Sequence, residues 1–186
     1  MVYVYTCNSR NKDNQNVPGF KQRAYGFICD ENDESKAYEK FERFVSDGVL
    51  GEKSRLYKTI NPRDEERTKR ELIVELLRNP SVRIQDIKNR VVGIAAKSRL
   101  KGYNRLLFDF DIDDAEQVAE FCDEIEAIAD KDNRGSIVSP EVFKTPHGYA
   151  VVVQDGFNYN KLSDKWKNGV EYKGDGMLFL MMKEKV

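Results

Sequence analysis

The chain has 186 residues, of which 40% are hydrophobic and 34% are charged. These values are typical of a soluble globular protein with one domain, or one domain with a small lobe, and they leave enough chain for a buried core. The net charge of −1 excludes a global basic field that would attract nucleic acid, so such binding would need a local basic patch.

Two strands and a helix are predicted at the beginning of the chain. Residues 1–6 and 23–29 are rich in aromatic and β-branched side chains, which favours strands. Asp33 or Ser35 supplies the N-cap of a helix that ends at Gly48. The predicted apolar face of this helix consists of Tyr38, Phe41, Phe44 and Val45.

The next region predicts one strand and two helices. Residues 54–60 form the strand. The pair Asn61-Pro62 begins the first helix, because asparagine caps a helix and proline fits its first turn, and Asn79-Pro80 ends it. A further helix is predicted at about 83–97. The predicted apolar face of the first helix consists of Leu72, Ile73, Leu76 and Leu77.

The second half of the chain contains the clearest hairpin signals. We expect, in chain order, a strand at 105–112, a helix at 113–130, strands at 136–145 and 149–154, a short helix at 157–166, and a turn with a final strand at 170–182. Mixed strands and helices with hairpin turns predict an α+β or α/β protein. We expect the α+β form, a mixed or antiparallel sheet with helices packed on it.

The segment RLLFDFDIDD, residues 105–114, places carboxylates at the end of an apolar strand. Asp109 and Asp111 share one face of a strand, with their Cβ atoms about 6–7 Å apart. Acids at this separation repel each other, and a hard cation such as Mg²⁺ or Mn²⁺ relieves the repulsion. The alternative is a solvated strand end, and Asp113 and Asp114 also fit the N-cap of the next helix.

Polar residues beside turns are candidates for binding an anion. The turn at residues 144–148 presents Lys144, Thr145 and His147, and the backbone N–H groups of such a turn suit a phosphate. The alternative for His147 is an ordinary surface residue in a β-turn.

Three further basic residues are also candidates for phosphate contacts. Arg55 and Arg63 flank the predicted junction of the strand at 54–60 with its following helix, and Lys173 adjoins a glycine turn. The alternatives are a solvated basic edge for the two arginines and a plain hairpin loop around Lys173.

The cysteine and histidine counts exclude several kinds of chemistry. Cys7, Cys29 and Cys122 are odd in number and lack a paired spacing, so neither a disulfide framework nor a zinc site is predicted. The single His147 excludes a mechanism that needs two imidazoles. No signal peptide or membrane-spanning run is recognisable, so we expect a cytoplasmic protein that does not bind a membrane.

Five segments carry a resemblance to a known family: RLYKTINPRD, LLFDFDID, KTPHGYAVVV, FNYNKL and YKGDGMLFL. In this order, across residues 54–180, the chain resembles small bacteriophage proteins with the catalytic domain of the archaeo-eukaryotic primases, or primase-polymerases. The resemblance implies a single domain over residues 1–186 with an RRM-like catalytic core, in which residues 1–53 lie outside the matching part.

The same resemblance implies a set of site residues. Asp109 and Asp111 match the family's metal-binding Asp-x-Asp motif, with Mg²⁺ or Mn²⁺ as the cofactor. A third acidic ligand matches Glu171 or Asp175, and Thr145-Pro146-His147 matches the motif that binds nucleotide phosphates.

The implied activity is metal-dependent nucleotidyl transfer on a nucleic acid, with a nucleoside triphosphate as substrate. In this activity Arg55, Arg63 and Lys173 would neutralise the phosphates. A phage origin would place the protein in the host cytoplasm.

The chain departs from the family at one position of this site. Phage relatives would read TPNGYH, whereas this chain has Ala150 in place of the final histidine and His147 in place of the asparagine. Either His147 reaches the phosphate from its shifted position, or the site has lost this ligand and serves binding alone.

Two other functions compete with this one. In a haloacid-dehalogenase-like phosphatase, Asp109 would be the nucleophile and Asp111 the acid/base, with Thr145, Lys165 and Asp175 in the later motifs. In a module that only binds nucleic acid or a host protein, strand aromatics would stack on bases. These aromatics are Tyr3, Tyr5, Tyr25, Phe27 and Tyr57.

Overall fold

The computed structural model describes residues 1–131, 139–154 and 158–186. The chain divides into two compact units, of which unit 1 comprises Met1–Tyr103 with Phe179–Val186 and unit 2 comprises Asn104–Leu178. The described strands are β1 (Val2–Ser9), β2 (Arg23–Asp30), β3 (Lys53–Thr59), β4 (Arg105–Phe110), β5 (Glu141–Thr145), β6 (Gly148–Gln154), β7 (Glu171–Gly174) and β8 (Met177–Glu184). The described helices are α1 (Glu34–Ser46), α2 (Glu65–Arg78), α3 (Ile87–Ala95), α4 (Ala115–Lys131) and α5 (Asp164–Gly169).

Unit 1 is built on a four-stranded antiparallel sheet with the order β2-β1-β3-β8. Strand β1 pairs with β2 along its whole length, from Val2 opposite Asp30 to Ser9 opposite Arg23. Most side chains of β1 are buried on both of its faces. β1 is therefore the central strand of this unit's core.

Helix α1 covers part of this sheet with its apolar face. Phe41 is fully buried, and Phe44 and Val45 are nearly so, which confirms three of the four residues in the predicted face. Tyr38, the fourth, is 37% exposed. The helix begins directly after Asp33, one of the two predicted start positions.

Helix α2 begins three residues later than Pro62, the predicted first helical residue. Arg63 forms isolated antiparallel bridges with Val2 and Lys101, so the chain is still extended at this point. Asp64 caps the helix instead, because its carboxylate accepts a hydrogen bond from the backbone N–H of Arg67 at 3.0 Å.

The predicted apolar face of α2 is not buried. Ile73 and Leu77 are 57% and 78% exposed, and Leu72 and Leu76 are only partly buried. Thr68 is the one buried residue of this helix. The spacing of apolar residues therefore predicted the helix correctly but not its burial.

Unit 2 contains the second four-stranded antiparallel sheet, with the order β5-β6-β4-β7. Strand β4 pairs with β6 from Arg105 opposite Gln154 to Phe110 opposite Tyr149. On its other edge β4 pairs with β7, where the register shifts between Leu107 and the next residue.

One face of this second sheet is packed against helices. Phe108 and Phe110 of β4 are buried in one cluster with Phe121 and Ile125 of α4 and with Trp166 of α5. The rings of Phe121 and Trp166 lie 5.4 Å apart in an edge-on arrangement. This aromatic cluster fixes α4 and α5 on the same side of the sheet.

The observed fold is α+β, as predicted, but it has two four-stranded antiparallel sheets in place of the single expected sheet. The predicted strand at 136–145 begins at Glu141, while residues 136–138 and residue 157 lie outside the described residues. A helix that crosses a bilayer needs about 20 mostly apolar residues. No helix in the described part of the chain meets this requirement.

Candidate functional site

The alternation of side chains along β4 separates the core of unit 2 from its candidate site. Phe108 and Phe110 point to the helices, so Asp109 points to the opposite face of the sheet. β4 ends at Phe110, and Asp111 follows as an exposed residue outside the strand. The strand is thus two residues shorter than predicted, and only the first aspartate of the motif is held by the sheet.

Three positions that the family resemblance singles out lie in one row across neighbouring strands. Asp109 is directly opposite Ala150 of β6 on one side and directly opposite Glu171 of β7 on the other. Directly opposed residues of antiparallel strands share a face, with Cβ atoms about 4.5–5.5 Å apart. The register therefore brings together the first acid, one of the two candidate third acids, and the position where relatives would carry histidine.

Lys173 neutralises the two acids of this row. Its ammonium group contacts the carboxylate of Asp109 and lies 3.3 Å from that of Glu171. Burial acts to lower the pKa of Lys173, but the hydrogen bond and charge of Asp109, with a smaller effect of Glu171, raise it overall. Lys173 is therefore charged at neutral pH and paired with the two acids. The sequence motifs instead predict that it contacts a phosphate group.

The turn at 144–148 packs closely against the end of the Asp-x-Asp segment. A Cβ atom on Gly148 would clash with the carbonyl oxygen of Phe110 and would lie 2.8 Å and 2.9 Å from the backbone O and N of Ile112. Only glycine fits such an approach between two backbones. Gly148 thus holds the turn and the segment after Asp109 together, which explains a glycine at this place.

The three candidates in this turn lie in different environments. Thr145 is opposite Gly148 and by alternation shares the sheet face of Asp109. Lys144 is opposite Tyr149, on the other face, where its ammonium group pairs with Asp113 and lies 4.1 Å from the Tyr149 ring centre. His147 is exposed at the tip of the turn.

The acids after β4 divide between capping and ion pairing. Asp114 accepts hydrogen bonds from the backbone N–H groups of Glu116 and Gln117 at 3.0 Å and 3.1 Å, which confirms its predicted role as a helix cap. Asp113 pairs with Lys144 instead. Neither acid is therefore an additional ligand in the row around Asp109.

Arg55 and Arg63 lie inside unit 1 and are only 5% and 1% exposed. The guanidinium of Arg55 pairs with Asp13 at 2.6 Å. The alternative interpretation of these arginines as a solvated basic edge is therefore wrong.

The structure also shows where the residues of the two alternative functions lie, the phosphatase and the binding-only module. Lys165 of α5 pairs with Glu120 of α4, on the helix-covered side of the sheet, so it does not face Asp109 as the phosphatase interpretation requires. Tyr5 and Phe27 stack on each other in the core of unit 1 with ring centres 5.5 Å apart. With Tyr3 only 8% exposed, these three aromatics serve packing rather than base stacking.

A second group of charged residues lies outside the sites that the sequence motifs predict. Arg67, Arg70, Glu71 and Arg99 line a cavity in unit 1 together with Leu100. A signal was present, because residues 61–103 contain eleven lysines and arginines against six aspartates and glutamates. This local excess is hidden in the near-neutral charge of the whole chain.

The acids around Asp109 suit a cation that takes its remaining ligands from water and a substrate. Within residues 1–131, 139–154 and 158–186, no group of three or more His, Cys, Asp and Glu side chains is arranged to hold a metal ion. Mg²⁺, however, is often held by one or two carboxylates, with water and substrate phosphates as the remaining ligands. Asp109 and Glu171 fit this smaller requirement.

Comparisons of the chain with protein-family models, with curated proteins and with solved structures gave no match.

Proposed function

We propose that unit 2 is a primase-polymerase-like domain that binds a nucleoside triphosphate together with Mg²⁺ or Mn²⁺. The observation that carries the proposal is the row Ala150–Asp109–Glu171, which aligns three motif positions on one face of three neighbouring strands. A chance match of short motifs along a sequence would not require the matched positions to be adjacent in space.

The residues of this row have distinct roles in the proposed site. Asp109 and Glu171 would hold the cation, which when bound supplies neutralisation of the triphosphate charge. Lys173 neutralises both carboxylates when no ligand is bound and offers a positive charge to phosphate oxygens at the same place. Thr145 shares this face and offers a hydroxyl group.

A second candidate is a domain of the same kind that binds nucleotide or nucleic acid without performing chemistry. The observation that favours it is the pairing of Lys173 with both acids, which satisfies their charge without a metal. Ala150 also removes the imidazole that relatives would place opposite Asp109. In this case binding would not depend on a divalent cation.

Calorimetric titration of a non-hydrolysable nucleoside triphosphate, with and without Mn²⁺, tests the proposal. We expect binding that needs Mn²⁺ and that is lost in Asp109→Asn and Glu171→Gln. Asp123→Asn is the matched control, because it removes an exposed carboxylate on α4 of the same unit. This control should bind like the wild type.

The outcomes separate the two candidates. Equal binding with Mn²⁺ and with a chelator favours the binding-only domain. No binding in either condition contradicts the proposed function and also the second candidate in its nucleotide-binding form. If Mn²⁺-dependent binding is found, primer extension with the same variants tests for nucleotidyl transfer.

A further inference from the structure

Unit 1 has an open cavity of about 280 Å³ whose lining is unusually basic. Arg67, Arg70 and Glu71 of α2 form one wall, and Arg99 and Leu100, which follow α3, form the other. The lining therefore contains three arginines and a single acidic residue.

The positive charge in this cavity is only partly compensated. Arg99 pairs with Glu71, the one acid of the lining. In the described part of the chain no carboxylate pairs with the side chain of Arg67 or Arg70. By contrast, Lys69 on the same helix lies 2.9 Å from Glu65 and 3.0 Å from Glu66. Two arginines are thus left to bind an anion from outside the chain.

The two walls of the cavity are joined by backbone hydrogen bonds. The N–H of Asp64, at the start of α2, donates to the carbonyl oxygen of Leu100 at 2.9 Å. The N–H of Gly102 donates to the carbonyl oxygen of Pro62 at 2.8 Å. These bonds fix the segment of Arg99 against the start of α2. The backbone that carries the three arginines is therefore already ordered before a ligand binds, which lowers the entropy cost of binding.

The segment that contains the cavity is positively charged, although the whole chain is not. Residues 61–103 carry a net charge of +5, from eleven basic and six acidic residues, although the whole chain carries −1. Several of these basic groups have partners, such as Arg90, which lies 3.3 Å from Glu75, and Arg83, which pairs with Asp86. The uncompensated arginines of the cavity are therefore a focus of positive potential on an otherwise acidic protein.

We infer that this cavity binds a phosphate group, and that its ligand is a phosphodiester of a single-stranded nucleic acid. Guanidinium groups bind phosphate oxygens through paired hydrogen bonds, which favours arginine over lysine at such sites. An open cavity accepts one phosphate of a longer strand, and the net charge of +5 over residues 61–103 favours the phosphates next to it. The site lies in unit 1 and does not depend on the function proposed for unit 2.

Fluorescence anisotropy with a labelled single-stranded DNA oligonucleotide tests this inference. We expect Arg67→Gln and Arg70→Gln each to weaken binding about five- to tenfold. Each substitution should also reduce the slope of log affinity against log salt by about 0.7, the value for one phosphate contact with a single strand. Circular dichroism verifies folding, which these exposed substitutions should leave intact.

Arg78→Gln is the matched control. It removes the same charge from the same helix, but Arg78 does not line the cavity. We expect less than a twofold change in affinity. If Arg78→Gln weakens binding as much as Arg70→Gln, or if neither cavity variant has an effect, the inference is overturned.

Competition experiments identify the source of the phosphate. Inorganic phosphate or a nucleoside triphosphate that displaces the oligonucleotide at micromolar concentration would support the phosphate site but overturn the strand as its ligand. Displacement by polyglutamate at the same concentration would overturn phosphate recognition. The anisotropy measurements use a chelator and no nucleotide, so a failure of the site proposed in unit 2 is distinguishable from a failure here.

Discussion

Asp109 on β4 lies directly opposite Glu171 on β7, and the ammonium group of Lys173 contacts both carboxylates. The lysine thus occupies the place between two acids where a divalent cation would bind. A cation that binds to these two carboxylates must therefore compete with the ammonium group of Lys173.

Lys173→Gln is expected to change metal and nucleotide binding in opposite directions. Binding of Mn²⁺ alone should strengthen about three- to fivefold, because the variant lacks the competing ammonium group and a partly exposed ion pair contributes up to about 1 kcal/mol. Binding of nucleotide in the presence of Mn²⁺ should weaken, because a phosphate partner is lost. Electron paramagnetic resonance measures the first effect and calorimetry the second.

Lys167→Gln is the control for this prediction. Lys167 lies 3.7 Å from Asp164 on α5 and outside the row of Asp109. Its substitution should change neither Mn²⁺ nor nucleotide binding. An equal effect of the two substitutions would mean that net charge, and not the position of Lys173, governs binding.

Gly148→Ala is expected to destabilise unit 2 by about 2–3 kcal/mol, the upper part of the range for an added methyl group in a packed site. The new Cβ would meet backbone atoms of Phe110 and Ile112, which cannot rotate away. Gly169→Ala is the matched control, because a Cβ there meets no atom within 4 Å. Urea unfolding, followed by the fluorescence of the single tryptophan, Trp166, measures both changes.

Asp13→Asn is expected to destabilise the protein by about 3 kcal/mol at pH 7, because Arg55 would remain buried without its charged partner. Burial acts to raise the pKa of Asp13, but hydrogen bonds from Arg10 and Arg55 lower it overall below its usual range. A lowered carboxyl pKa stabilises the fold above about pH 4 and loses this effect as the pH falls through the folded-state pKa.

The difference in stability between wild type and Asp13→Asn should therefore shrink as the pH is lowered from about 4 to 2. Urea titrations followed by circular dichroism at several pH values measure it. Glu120→Gln is the control, since Glu120 forms only an exposed pair with Lys165. A constant difference at all pH values would contradict the proposed cause.

Ile125→Ala is expected to cost about 2–5 kcal/mol, because Ile125 is fully buried in the core of unit 2 and its truncation leaves a cavity. Val142→Ala, at a position that is 49% exposed on β5, should change the unfolding free energy by less than about 0.5 kcal/mol. The two values come from urea unfolding under identical conditions. Similar costs would mean that α4 is not packed as described.

The three thiols are expected to react slowly with an aromatic disulfide reagent at pH 7.5. Burial raises the pKa of Cys7 to about 12 and that of Cys122 to about 11, and it also raises the pKa of Cys29. Because the thiolate is the reactive form, almost none is present at this pH. The same thiols should react rapidly in concentrated urea, and fast reaction in the native protein would contradict the described burial.

The sequence predicted local structure well where a single physical signal dominates. The α+β class, the strand after residue 105 and the cap at Asp114 all follow from alternation, apolar periodicity and capping chemistry. It failed where distant residues decide the outcome. The pairing of Arg63 with Val2 and Lys101 delays α2, and no local signal contains that pairing.

The candidate site divides in the same way. The sequence alone specifies which chemical groups are present, namely the carboxylates of Asp109 and Glu171, the ammonium of Lys173 and the excess of basic residues between residues 61 and 103. Which of these groups meet depends on the tertiary structure. Strand register places Asp109 between Ala150 and Glu171, and it is set by hydrogen bonds between segments far apart in the chain. Burial withdraws Arg55 and Arg63 from the surface, since a residue's exposure depends on everything that folds against it.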